Sequence, residues 1–410
     1  MIAERPRWQR LVAVALGIAM SVLLAMEGVG RWAFNRNMSS LIEISGSNNA
    51  DSYARQAERL FAQHKYPLAE SFALVALDRS PVNQKALRTL GMARTAMGRS
   101  DSGRRAMDAA GRLGWQDIAT QTWLMWDAQQ RQRPQEALAR ADALARRGAM
   151  AQGLFRVLVA FGADPATLPP LVKRLELASG WRPEFFVLAE GATLAEAQTA
   201  DLLLRRLQRT SAPPLREEVV PVVRRLFDLG AYQQAEALAA NLLGTKRASG
   251  ANLVEDGAFA NLEIYAARDI HRTPFDWNFS APPRGASVVE LSDRPGDGAL
   301  YVKTDGLRRW ALATKVIRVG PGPRTLSFSV ASDNADALER FGWTLTCLPG
   351  GQQLIPGGAP DVDIGKAPAT VQRTFSVPAS DCDFQILSLS SQTSSERDSV
   401  SATFDDVAIK

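Results

Sequence analysis

The sequence predicts a multidomain chain, α then β: a transmembrane helix, a solenoid of helix pairs and a β-sandwich. Three observations carry that expectation. Near Gly250, Ala/Arg/Leu-rich text with helical spacing gives way to alternating text rich in Gly, Pro, Ser and Thr. Upstream of that change a pattern returns every 34 residues. At the N-terminus a basic flank precedes a long apolar run.

With 410 residues and 46% hydrophobic content, the chain has material for two or three cores, so disorder is not the default. The net charge of +5 conceals a division by sign, about +8 over residues 51–249 and about −5 over 250–410. The arginines of the basic half recur at helical spacing, as on a solvated helix face. No nucleic-acid partner is expected.

Arg5, Arg7 and Arg10 precede the apolar run Leu11 to Met26, which extends to Val29. This is the pattern of a signal anchor or signal peptide. Leu24, Ala25, Met26 and Glu27 offer no small-x-small cleavage site, which favours an uncleaved anchor while leaving cleavage open. Residues 1–35 then form a cytoplasmic tail and transmembrane anchor, and 36–50 a polar linker. By the positive-inside rule the bulk of the chain lies beyond the membrane, which in a bacterium means an inner-membrane protein facing the periplasm. The two cysteines, Cys347 and Cys382, suit a disulfide in such an oxidising compartment; two buried thiols are the alternative.

The helical region, 51–247, has small residues at repeating positions. In its first copy Tyr53 and Leu60 belong to one helix, Tyr66 lies near the turn, Ala69, Ala73 and Ala76 face back from the second helix, and Pro81 closes. One period on stand Leu87, Leu90 and Gly91, Gly98 at the turn, then Gly103, Met107 and Ala110, with Trp115 in the proline position. A third copy runs through Leu124, Met125, Ala128, Ala137, Ala141 and Leu144, with Pro134 at the start of its second helix. Between about 150 and 215 the signature fades, with breaks at Asp164-Pro165, Pro169-Pro170, Arg182-Pro183 and Pro213-Pro214. It returns at Val219, Val222, Val223, Leu226, Gly230, Tyr232, Ala235, Ala239 and Leu242. These positions resemble the tetratricopeptide repeat, which implies an array that holds other protein chains. Arg55, Arg88 and Arg94 are the polar candidates on its concave face.

The β-region, 250–410, opens with Asn252-Leu253-Val254-Glu255-Asp256-Gly257-Ala258-Phe259 and closes with Thr403-Phe404-Asp405-Asp406-Val407-Ala408-Ile409. About nine short alternating segments separated by turns suit a jelly roll. The two end segments resemble the carbohydrate-binding modules of families 4 and 9 and galactose-binding-like domains. That resemblance implies a glycan partner held by stacked aromatic rings and a few polar groups. Trp310, Trp277 and Tyr301 are the glycan-binding candidates, while Trp343, in phase with Leu345 and Cys347, reads as core. Related modules carry a structural calcium, for which Asp256, Asp405 and Asp406 are present. Ala260 replaces the glutamate expected there.

No catalytic set is visible. His64 and His271 are the only histidines and fall in different predicted domains, which leaves no His-rich metal site. The Gly350-Gly351 and Gly357-Gly358 turns lack the lysine and helix of a phosphate loop. The chain therefore reads as a membrane-anchored periplasmic scaffold in exopolysaccharide or surface-polysaccharide assembly, with repeats for protein and a sandwich for glycan. Alternatives are an envelope adaptor whose sandwich contacts protein, and, more distantly, a glycan-modifying enzyme.

Overall fold

The structure is a computed structural model that describes residues 49–149, 151–177, 180–244, 252–260, 271–279, 287–291, 298–334, 336–356, 366–394 and 399–410. Leu11 to Val29 lie outside the described residues. Among the described residues no helix is long and apolar enough to cross a membrane. The chain forms two compact units, Met1–Ala149 and Met150–Lys410.

The first unit contains three helix pairs, α1 (Ala50–Ala62) with α2 (Tyr66–Arg79), α3 (Gln84–Ala96) with α4 (Ser100–Arg112), and α5 (Ile118–Gln130) with α6 (Pro134–Arg146). Each pair repeats the same local chemistry. Asn49, Asn83 and Asp117 cap the first helices through their side chains. His64, Gly98 and Gln132 turn the chain in the left-handed region, at φ 60°, 78° and 56°. Small residues set the approach within a pair. A Cβ added at Gly91 would stand 2.8 Å from the Gly103 carbonyl oxygen, and one at Gly103 would stand 2.7 Å from that of Gly91. Ala69, Ala73 and Ala76 are fully buried on the inner side of α2.

The second unit begins with α7 (Gln152–Ala163), α8 (Leu168–Leu177), α9 (Arg182–Val187) and α10 (Leu194–Leu207), and ends its helices with the pair α11 (Arg216–Asp228) and α12 (Tyr232–Leu243). The prolines that break the repeat signature here start α9 and shape the loop into α11. Arg182 lies beneath that loop, donating at 2.7 Å to each carboxylate oxygen of buried Glu218 and at 3.0 Å to the carbonyls of Ala212 and Pro213.

Two antiparallel sheets follow, formed by β1 (Asn278–Phe279), β2 (Ser287–Leu291), β3 (Leu300–Thr304), β4 (Ala311–Ile317), β5 (Gly322–Ala331), β6 (Phe341–Pro349), β7 (Gln353–Ile355), β8 (Ala369–Val377), β9 (Cys382–Ser391) and β10 (Val400–Ile409). One sheet is ordered β1-β4-β9-β6-β7, the other β2-β3-β10-β5-β8. Period-two alternation sends Trp343, Leu345, Leu387 and Leu389 inward to meet Phe328, Val330 and Phe404 from the facing sheet. The first segment closes against the last strand, where the Val407 amide donates to the Gly257 carbonyl at 2.9 Å.

The sandwich is fastened to α11 and α12. Arg216 donates to Asp276 at 2.5 Å and to the His271 carbonyl at 2.8 Å, and Arg224 donates to the Arg272 carbonyl at 2.7 Å. Phe227 meets Phe275 edge-on, and Tyr232 lies 5.9 Å from Phe384. The division between units therefore falls inside the helical region, not at Gly250 where the style of the sequence changes.

Candidate functional site

The site is built from the outward face of the β1-β4-β9-β6 sheet. Register places Asn278, Thr314, Ser388 and Thr344 side by side on four strands. Two residues along, the outward positions are Val316, Ile386 and Thr346, and beyond them Leu348 and Phe384. The first row is recessed. Asn278, Thr314 and Ser388 are half-buried and Thr344 buried, with its hydroxyl 3.4 Å from the Ser388 carbonyl. The Ser388 and Ser390 hydroxyls lie 3.3 Å apart, and the Asn278 amide donates to the carbonyls of Thr273 and Asp276. Rigid strands thus hold hydroxyl and amide groups in a row, while Phe384 ends the face beneath the helices.

At that end is an open cleft of about 370 Å³. Gln198 of α10 and Tyr232, Gln233 and Gln234 of α12 form one wall, and Pro349, Asp383 and Phe384 of the sandwich the other. Gln198 donates to Gln234 at 3.1 Å, and Gln233 to Asp383 at 3.4 Å. Arg318 lies over the Phe384 ring, 5.4 Å from its centre, and pairs with Glu236 at 3.2 Å. Cys347 and Cys382 form a disulfide that ties β6 to β9 beside Pro349 and Asp383.

The aromatic residues singled out from the sequence do not converge. Trp277 is fully buried, donates its indole N–H to the Asp256 carbonyl at 3.0 Å and packs against Phe259 and Trp343. It is a core residue rather than an exposed sugar platform. β1 spans only two residues, too few for alternation to reveal which way Trp277 points. Trp310, another of the glycan-binding candidates, is half-buried against the core at the entry to β4; its exposed neighbours are Leu307, Arg308 and Arg309. Tyr301 is half-buried on the outward side of β3, in the other sheet.

The residues named for calcium are Asp256, Asp405 and Asp406. Asp256 and Asp406 precede the paired residues Gly257 and Val407, and both have left-handed backbones. Among the described residues, however, no group of three His, Cys, Asp or Glu side chains could hold a metal. The charge facing Asp256 comes from the chain itself. Lys315 points inward from β4, with its ammonium 5.6 Å from the centre of the Trp277 ring. Burial pushes its pKa below the usual lysine range, against the attraction of Glu255, Asp276 and Asp256.

In the first unit, the concave-face arginines Arg88 and Arg94 lie in pairs that join neighbouring helices. Arg88 bridges Glu58 and Asp117, and Arg94 pairs with Glu70 at 2.8 Å. Exposed apolar surface sits instead at Trp115, Ile118 and Trp126, with Arg140 stacked over Trp115. His64 contacts the Tyr66 hydroxyl at its turn, and the His271 carbonyl receives Arg216.

Gln198, Gln233, Gln234 and Asp383 carried no signal in the sequence, being ordinary polar residues at helix and strand ends. Phe384 did carry one: it alternates with Ile386 and Ser388, opposite in phase to Leu387 and Leu389, so a large aromatic stands on the outward side.

No protein-family model matches the chain, and no curated protein does. Among solved structures, it is similar to a family 4 carbohydrate-binding module, with TM-score 0.27 and 17% identity over 38% of this chain and 98% of that one. It is also similar to the xylan-binding CBM22-1 domain of Paenibacillus barcinonensis Xyn10C, with TM-score 0.24 and 14% identity over 33% and 84%. A third is PilW, a widely conserved type IV pilus biogenesis factor, with TM-score 0.26 and 17% identity over 48% and 93%. The chain resembles tetratricopeptide proteins in its helices and carbohydrate-binding modules in its sandwich.

Proposed function

We propose that this chain is a non-catalytic scaffold in surface-polysaccharide assembly or export, anchored in a bacterial inner membrane by Leu11 to Val29 and working in the periplasm. Its helix pairs hold a protein partner, and its sandwich holds a glycan. The observation that carries the glycan reading is the row Asn278, Thr314, Ser388 and Thr344 on one recessed sheet face. Hydroxyl and amide groups fixed on strands can pair with sugar hydroxyls at small ordering cost. The apolar surface at Trp115, Ile118 and Trp126 supports a protein partner for the helices. Electrophoresis of the purified chain through gels cast with polysaccharide tests the reading: retardation is expected, and Thr344→Val should diminish it. Unaltered mobility in every gel would refute glycan binding.

A second reading, an envelope adaptor whose sandwich contacts only protein, draws on the burial of Trp277 and half-burial of Trp310. Under it, pull-down of an envelope protein would survive while no polysaccharide retards the chain.

A further inference from the structure

The cleft between the last helix pair and the sandwich lies at the Phe384 end of the outward sheet face. From Ser388 in the hydroxyl row to Phe384 at the cleft is four residues of one strand, about 14 Å. A short oligosaccharide lying along the face would therefore reach Gln198, Gln233 and Gln234, which belong to the helices and not to the sandwich. Each primary amide offers two N–H donors and a carbonyl acceptor, more capacity than the bonds described above consume. Asp383 adds an acceptor. The first turn of α12, whose residues line the cleft, has no side-chain cap on its backbone N–H groups. A wall that both donates and accepts matches hydroxyl groups, which do both. The lining includes one carboxylate and no Lys, Arg or His, and the nearby Arg318 over Phe384 is already paired with Glu236, so the cleft favours a neutral ligand over an anionic one.

We propose that this cleft is the terminal subsite of the glycan site, that it takes a neutral pyranose in preference to an acidic sugar, and that the helical arm supplies its specificity through Gln198, Gln233 and Gln234. The proposal rests on the glycan reading given above. It makes the arm part of the sugar site, which an isolated sandwich would lack.

The test is affinity electrophoresis of the full chain in gels containing a neutral galactan, mannan or β-glucan, with alginate as the acidic polymer. Gln233 and Gln234 are exposed, so Gln233→Ala/Gln234→Ala should leave the melting temperature unchanged. Wild type should be retarded by at least one neutral polymer, and the double variant should bind that polymer at least fivefold more weakly. Asp383→Lys should gain retardation by alginate, a change that misfolding does not mimic. The proposal is overturned if the double variant binds as wild type while Thr344→Val does not, a result that leaves the glycan reading standing. Preference of wild type for alginate overturns the choice of ligand, and absence of retardation in all gels overturns both readings.

Discussion

Replacing Arg182 with methionine should destabilise the second unit, because it breaks a buried ion pair from one side. The Arg182 and Glu218 side chains are 8% and 1% exposed and share two 2.7 Å hydrogen bonds. Without the guanidinium, Glu218 keeps the Leu215 amide at 2.9 Å but no opposing charge, and the Ala212 and Pro213 carbonyls lose their donor. Breaking a buried pair from one side costs about 3–5 kcal/mol. That is a large part of a typical domain stability of about 5–15 kcal/mol. Glu218→Leu should cost a similar amount, because it strands the guanidinium. The double variant Arg182→Met/Glu218→Leu removes both charges, so it should cost less than the sum of the two by about 2 kcal/mol or more. Urea unfolding followed by far-ultraviolet circular dichroism gives all three values. A single-variant cost below about 1 kcal/mol, or strict additivity, would refute the argument.

Four further outcomes are expected. Gly103→Ala brings a methyl against the Gly91 carbonyl, a backbone group that cannot rotate away, and should cost about 1–3 kcal/mol in chemical denaturation. Cys347→Ser/Cys382→Ser opens a loop with a separation of 35 residues and should lower stability by ~4 kcal/mol, read as a lower denaturation midpoint. Lys315 has its pKa lowered in the fold, so between that value and the ordinary 10.5 the unfolded chain binds more protons. Its contribution to stability should therefore rise with pH through that window, and Lys315→Met should flatten the trend in pH-resolved melting. Arg216→Ala removes the 2.5 Å bond to Asp276 and the 2.8 Å bond to the His271 carbonyl. It should cost about 2–4 kcal/mol of helix–sandwich coupling, seen as earlier unfolding of one part in differential scanning calorimetry; a single unshifted transition would contradict this.

The helical and strand regions were legible because periodicity is local. Ala69, Ala73, Gly103, Met107 and Ala110 fall on the buried side of their helices, and the 34-residue spacing extends to caps and turns that the hydrophobic pattern alone does not show. Trp343, in phase with two inward neighbours, read correctly as core. Trp277 did not, because its strand is too short to have a phase. The junction between helices and sandwich was invisible for a different reason. Arg216 and Arg224 reach backbone carbonyls, which any residue provides, and Phe227 and Tyr232 match Phe61 and Tyr66 of the first pair, so they read as part of the repeat. A contact made to a main chain leaves no mark on the sequence of its partner.

Phe227 and Tyr232 also bear on how far such an array can extend. A stack of helix pairs presents an apolar end to which another pair, or another copy, can add unless something polar closes it. In the second unit that end meets Phe275 and Phe384 of the chain's own sandwich. The array is thereby terminated, and copies of this chain cannot lengthen it from that side.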